Sequence, residues 1–551
     1  MTAGSPADDR TIAPHGGLRR TFRVPVLVTA MLTVAVLAAC STDSSYRPGS
    51  STVQSEAGNP NAQVASPLPA DAVADAVSRL DDLVSSMMRD TGIPGLAVAV
   101  VAGAETKYAK GFGVADVTTG ARVDADTVFP LASMSKSIGS TVIATQVSNR
   151  ALGWDDPVIT GLPGFALADP YVTRTVTVAD MYAHRSGLPD HAGDKIEDLG
   201  YSRAEVLNRL RFLPLEPFRI TYEYTNFGVT AAAESVANRV RKDWETLSAD
   251  AVYGPLGMSR TSSRFRDFAA RENRVVGHVK VDDKWVTTPA QREPDPQSPA
   301  GGVSSSVNDV SHWLAMLLGD GTYQGRQLIS PEALLPAITP QIVSSPAAAP
   351  DARAGFYGYG FNVSVTEGGR TQVSHSGAFS MGAATNFLVL PSADVAIVVL
   401  SNAAPVGAVE ALTGEFADLV QFGAIRHDWR TLYGQAFAEM STPSGSLVGK
   451  PRPANPAPAQ PLSVYAGTYD NPLYGPAVVR EQDGRLVLAM GPGGRAVREL
   501  THWDANTFTF TMRDENAELG TISKVTFDGP RMTIEYYQDD DDPGGGVFTR
   551  R

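Results

Sequence analysis

Ser133 and Lys136 stand three residues apart within the stretch Phe129-Pro130-Leu131-Ala132-Ser133-Met134-Ser135-Lys136-Ser137-Ile138-Gly139-Ser140. On a helix that spacing places a hydroxyl and an amine on one face. A serine oxygen becomes a useful nucleophile only beside a base, and a lysine serves as one when burial lowers its pKa. A position in the first helical turn also leaves backbone N–H groups free to polarise a carbonyl. Ser135 and Ser137 flank Lys136 and point elsewhere, so they and Ser140 are expected on the helix surface or in packing. Ser-x-x-Lys recurs by chance, and the pair needs company. Two further groups supply it, Tyr224-Thr225-Asn226 and His375-Ser376-Gly377. Each by itself would read as a turn or a loop.

In this order the three motifs resemble those of the serine β-lactamase and penicillin-binding superfamily, whose set includes S-x-x-K. The branch that is most similar holds class C β-lactamases, D-Ala-D-Ala carboxypeptidases, D-aminopeptidases and esterases, including CubicO-type proteins; it uses S-x-x-K, Y-x-N, then K-T-G or H-x-G. Connecting text over roughly residues 75–420 matches as well: Trp154-Asp155-Asp156-Pro157, His184-Arg185-Ser186-Gly187-Leu188-Pro189, Pro255-Leu256-Gly257-Met258 and Ala300-Gly301-Gly302. The resemblance implies Ser133 as acylated nucleophile, Lys136 as its proton partner, and Tyr224 as second acid/base with a phenol held low by the ammonium. It implies Asn226 on the substrate amide or on Lys136, and His375 in place of the third-motif lysine. Gly377 would let substrate lie against the strand edge, and the N–H groups of Ser133 and Ala378 would form the oxyanion hole.

Two departures qualify this. The Pro-Gly turn usual before the tyrosine motif is Glu216-Pro217-Phe218-Arg219-Ile220 here, which leaves the shape of that loop open. Neither a Ser-Asp-Asn motif nor a counterpart of the class A deacylation glutamate is found, and a histidine replaces the permanent charge that meets a drug carboxylate. These favour an amide or peptide containing a D-amino acid, peptidoglycan-derived for example, over a β-lactam; a carboxylester fits nearly as well. A catalytically idle cell-wall binding protein is the alternative from another class, and the intact five-residue set argues against it. His184 reads as structural and Gly301-Gly302 as a close-packing turn. His191, His278, His312, His427 and His502 lack partners at metal spacing, so neither a metal nor another cofactor is expected.

The elements that must position these residues follow from pattern. Apolar residues at helical spacing over 71–89, stopped by Thr91-Gly92, predict a helix; residues 95–101 and 107–114 predict two strands. Residues 133–258 read as mostly helical. Helix starts are marked by Thr177 with Asp180, Ser202 with Glu205, and Ser306 with Asp309. Strands return over 355–402, with Ser392-Ala393-Asp394 as a hairpin turn. The expected fold is an α/β sandwich, an antiparallel sheet flanked by helices, with an all-helical lobe and the site at their junction. Beyond a proline-rich linker at 450–461, residues 462–551 read as short strands of an antiparallel barrel. Tyr465-Ala466-Gly467-Thr468-Tyr469 and Gly546-Val547-Phe548 resemble the lipocalin-like domains appended to some relatives. The acidic run 539–542 reads as a solvated turn rather than a Ca²⁺ loop.

The chain of 551 residues carries 46 basic and 59 acidic side chains, a net charge of −13, and no basic stripe to neutralise phosphates, so a nucleic-acid partner is not expected. Arg19-Arg20-Thr21-Phe22 resembles a twin-arginine signal. The uncharged run 24–39 falls short of the ~20 residues of a spanning helix and ends at Leu37-Ala38-Ala39-Cys40, which resembles a bacterial lipobox. The expectation is a signal peptide at 1–39 and lipidation of Cys40, the single cysteine, anchoring an extracytoplasmic protein to the cell membrane; a plain signal peptide is the alternative. Residues 40–70 read as a tether and 71–449 as the hydrolase domain. Oligomeric state leaves no mark in the sequence.

Overall fold

Eight antiparallel strands make the sheet against which the site is built. They are β1 (Gly95–Ala102), β2 (Glu105–Gly113), β3 (Ile342–Ser345), β4 (Gly355–Tyr357), β5 (Asn362–Val365), β6 (Thr371–Phe379), β7 (Ala383–Leu390) and β8 (Val395–Ser401). Their order across the sheet is β2-β1-β8-β7-β6-β5-β4-β3, so the first hairpin pairs with the last strand, Val98 opposite Val399. This computed structural model describes residues 65–288, 290–538 and 544–551. The signal segment, Cys40, the tether up to residue 64 and the acidic run 539–542 lie outside the described residues.

β1 is buried along its whole length because both faces of the sheet are covered. Leu96, Val98 and Val100 join one apolar cluster, and Ala97, Ala99 and Val101 join the other. Seven helices matter here: α1 (Ala72–Ser78), α2 (Leu80–Thr91), α3 (Met134–Ser148), α4 (Asn226–Arg239), α5 (Val307–Leu318), α6 (Ala408–Phe422) and α7 (Trp429–Met440). Leu80 and Val84 of α2 and Leu412 and Phe416 of α6 pack on the first face. Val142 of α3 and Trp313 of α5 pack on the second. The single helix expected over 71–89 is two, broken at Arg79, whose N–H turns back to the Ala76 carbonyl. Gly92 stops the second at φ 69°.

The helical lobe between β2 and β3 starts its elements at the expected caps. Thr177 and Asp180 exchange side-chain bonds with each other's backbone, as do Ser202 and Glu205. Ser306 caps α5 in the ordinary way, while the Asp309 carboxylate turns to the Arg260 N–H and the Thr261 hydroxyl.

The C-terminal strands β9 (Gly467–Asp470), β10 (Ala477–Gln482), β11 (Arg485–Met490), β12 (Ala496–Asp504), β13 (Thr507–Asp514), β14 (Ala517–Asp528), β15 (Arg531–Ile534) and β16 (Val547–Arg550) close into a barrel. Pairing of Tyr469 with Arg550 seals it, which removes both edges. The barrel touches the helical lobe at backbone distance. A β-carbon on Gly491 would fall 2.1 Å from the Leu199 carbonyl, and one on Gly475 2.2 Å from the Tyr201 hydroxyl. Tyr201 in turn donates to the Tyr474 carbonyl.

Candidate active site

Ser133 sits immediately before α3, and Lys136 follows one turn later on the same face. The Lys136 ammonium nitrogen lies 3.1 Å from Ser133 Oγ, 2.6 Å from Asn226 Oδ1 and 3.1 Å from the Ala300 carbonyl. It also lies 4.5 Å from the centre of the Tyr224 ring. Asn226 opens α4, so two helix N-termini converge on one amine. β6 supplies the third wall with His375, Gly377 and Ala378. A β-carbon on Gly377 would fall 2.3 Å from the Leu131 carbonyl and 2.9 Å from the Ser133 nitrogen, so only glycine lets strand and helix approach this closely. β5 pairs with residues 371–374 and stops, which leaves the β5-side edge of β6 from His375 onward without a strand partner among the described residues. The structure thus brings every residue expected at the site into one place.

Lys136 is wholly buried, and burial lowers its pKa to about 7, although the Asp194 charge pulls the other way. Near neutrality much of it is a free amine, able to take a proton. The expectation for Tyr224 is corrected: burial raises the phenol well above its usual value, against the opposing pull of a hydrogen bond with Ser133. Tyr224 is therefore a neutral phenol, not a phenolate. The cause is burial first, and the neighbouring Tyr222, Asp194 and Asp190 push the same way. His375 is lowered to about 3 by burial and then by the Lys136 charge; its Nε2 meets the Tyr357 hydroxyl at 2.8 Å and its Nδ1 the Ser376 carbonyl at 2.6 Å. It is an uncharged ring.

Several supporting residues were not foreseen. Asp194 Oδ2 accepts from Asn226 Nδ2 at 2.8 Å and meets His191 Nδ1 at 2.8 Å, completing a chain His191–Asp194–Asn226–Lys136. Burial lowers the His191 pKa, yet the hydrogen bond and charge of Asp194 outweigh it and the net shift is upward. The sequence signal is a His and an Asp three apart, a spacing that carries no metal motif. His184, read as structural, is fully buried against the Tyr224 ring, centroids 4.5 Å apart, and accepts the Thr225 N–H. Ala132, just before Ser133, takes φ 47° in a buried position, a strained backbone. Ser135 and Ser137 are buried fasteners rather than surface residues, bonding the Val303 N–H and the Gly360 carbonyl; Ser140 is buried too.

The loop lacking its glycine keeps a glycine-like backbone. Arg219 stands at φ 65°, and its guanidinium grips the buried Asp180 carboxylate with contacts of 2.8–3.2 Å, which offsets the strain. Gly302 packs against Ser298, where a β-carbon would come within 2.6 Å, and this turn aims the Ala300 carbonyl at Lys136.

The cleft above Ser133 holds about 490 Å³ and has a wall from the barrel. At the tip of the β13–β14 hairpin, Glu515 Oε1 accepts the Ser380 N–H at 2.8 Å, its carbonyl accepts the Ser380 hydroxyl, and Asn516 Nδ2 donates to Asp198. Beside them Arg292 pairs with Glu197 and Asp198. Burial raises these carboxyls, Glu197 to about 7, Asp198 to about 6 and Glu515 to about 8, with Arg292 opposing in each case. No sequence signal pointed to this wall, because the contact joins residues far apart in the chain.

Residues 80–421 match the family model described as Beta-lactamase, and residues 451–540 match one described as a domain of unknown function, DUF3471. Unguisins hydrolase ungD of Aspergillus violaceofuscus is 26% identical over 429 residues, 72% of this chain and 75% of that protein. Penicillin-binding protein 4 of Amycolatopsis lactamdurans is 27% identical over 389 residues, 69% of this chain and 93% of its own. Among solved structures, the octameric penicillin-binding protein homologue from Pyrococcus abyssi superposes with a TM-score of 0.56 at 17% identity, covering 83% of this chain and 98% of that one. The class C beta lactamase from Rhodobacter sphaeroides gives 0.50 at 19% identity, over 62% and 98%.

Proposed function

Because the chain belongs to the beta-lactamase family of hydrolases, we propose that it cleaves an amide or peptide bond through an acyl intermediate on Ser133. One observation carries the reading: Ser133 Oγ lies 3.1 Å from a wholly buried amine whose pKa is lowered to about 7. In this mechanism neutral Lys136 takes the Ser133 proton as Oγ attacks the carbonyl carbon. The N–H groups of Ser133 and Ala378 receive the developing oxyanion. Tyr224 gives its proton to the leaving nitrogen as the C–N bond breaks, and the Lys136 ammonium returns one to the phenolate. Water then attacks the ester, passing its proton through the same pair, and Ser133 leaves as a hydroxyl. Asn226, braced by Asp194 and His191, holds the amine in register.

The substrate class rests on family resemblance together with the charge of the cleft. His375 is neutral, and the Arg292 guanidinium is already engaged by Glu197 and Asp198, so among the described residues a substrate carboxylate meets no free cation there. A D-amino-acid-containing or peptidoglycan-derived amide is the first reading. The same neutral His375 favours a carboxylester as the second. The relative named for hydrolysing unguisins supports hydrolysis over mere binding. A fluorescent fluorophosphonate should label the wild type and leave Ser133→Ala unlabelled; equal labelling of both would sink the assignment. Turnover of D-amino-acid anilides against p-nitrophenyl esters then ranks the two substrate readings.

The same proposal places the protein outside the cytoplasm on a lipid anchor at Cys40, supported by the lipobox-like residues before it. Metabolic labelling with a fatty-acid analogue should mark the wild type and miss Cys40→Ser. Unchanged labelling of that variant would overturn the anchor.

A further inference from the structure

On the opposite face of β6 from His375, a second cavity of about 260 Å³ lies between the sheet and helices α6 and α7. Strand alternation separates it from the catalytic cleft: Ser374, Asn386 and Leu388 face it, whereas His375 and Phe387 face the other way. Its lining holds the carboxylates of Glu367, Glu410 and Asp418, and neither a lysine nor an arginine. Glu367, at the rim, is engaged by Arg426 and His427. Asp418 Oδ2 accepts the Trp429 indole N–H and the Arg426 backbone N–H, each at 2.8 Å. Glu410 differs from both. It is 4% exposed, and its Oε2 meets no partner among the described residues.

A buried carboxylate with one empty acceptor oxygen is costly, and burial raises the Glu410 pKa to about 7, although hydrogen bonds from its own backbone N–H and from the Ser376 hydroxyl pull the other way. A donor cation arriving from outside would remove that cost. The opposite wall suits one. Trp429 and Tyr433 stack with centroids 5.9 Å apart, and the indole lies so close over Gly414 that a β-carbon there would come within 2.9 Å. Aromatic faces beside carboxylates attract an ammonium group and cover its apolar part. The volume of about 260 Å³ is room for roughly eight water-sized groups.

We propose that this cavity is a binding site for a small organic ammonium ion, its N–H groups donating to Glu410 and its apolar body lying against Trp429 and Tyr433. The site is separate from Ser133 and does not depend on the hydrolase reading. The test uses 4-bromobenzylammonium on the full protein. In crystals of the wild type, the bromine's anomalous signal should fall between α6 and the sheet, beside Trp429. By calorimetry, Glu410→Gln should weaken binding at least tenfold, and 4-bromobenzyl alcohol should not bind. A bromine found only in the Ser133 cleft or nowhere would overturn the proposal, as would equal affinity of Glu410→Gln or of the alcohol. The crystallographic arm uses the wild type, so it decides the matter even if Glu410→Gln fails to fold.

Discussion

At the scale of single residues, the proposed mechanism turns on the ionisation of Lys136. Its pKa of about 7 means that the base form fills as pH rises through neutrality. With Lys136 as the base, the acylation rate climbs tenfold per pH unit below about 7 and levels off above it. His375, lowered to about 3, adds no second step in that range. A stopped-flow pH profile of acylation checks this, and a rate flat from pH 5 to 9 would remove Lys136 from the role. That Ser133, Lys136, Tyr224, Asn226 and His375 gather in one place was legible in the sequence, because each motif is a local spacing. Their protonation states were not, since burial comes from helices and strands that the motifs do not mention. Tyr224 makes the point: its neighbour suggested a lowered phenol, and its surroundings raise it.

At the scale of elements, what could be read was what is periodic or capped. β1 and the capping boxes at Thr177 and Ser202 answer to local rules and appear where expected. The break at Arg79 escaped notice because the apolar spacing continues across it into α2. The positive φ at Arg219 escaped for a different reason. The family's glycine is missing there, and the backbone shape is held instead by ion pairing to Asp180, a partner in another element. Ser135 and Ser137 likewise show no amphipathic signal, because α3 is buried on all sides over its first turns. Polar residues inside such a helix are understood only once their acceptors, the Gly360 carbonyl among them, are in place.

At the scale of the molecule, the cluster that docks the barrel hairpin has a sign that can be worked out. Glu197, Asp198 and Glu515 share one guanidinium, and burial raises each carboxyl above its unfolded value. The native state therefore holds more protons between about pH 4 and 8, and stability falls as pH rises through that window. Lys136 works oppositely: its lowered pKa makes stability rise with pH above about 7. Comparison of the wild type with Glu515→Gln isolates the docking cluster. The thermal midpoint should drop less between pH 5.5 and 8.5 in the variant than in the wild type. An equal or larger drop in Glu515→Gln would refute the assignment.

The wall that Glu515 and Asn516 add to the cleft also sets an order in time. During synthesis, Ser133, Lys136 and His375 emerge and can assemble well before the β13–β14 hairpin exists. A growing or prematurely stopped chain thus carries Ser133 in a trough open on one side. Only when the barrel has closed, Tyr469 against Arg550, and its tip has reached Ser380 is the cleft finished. Completion of the whole polypeptide is, in this protein, a step in the building of the cleft around Ser133.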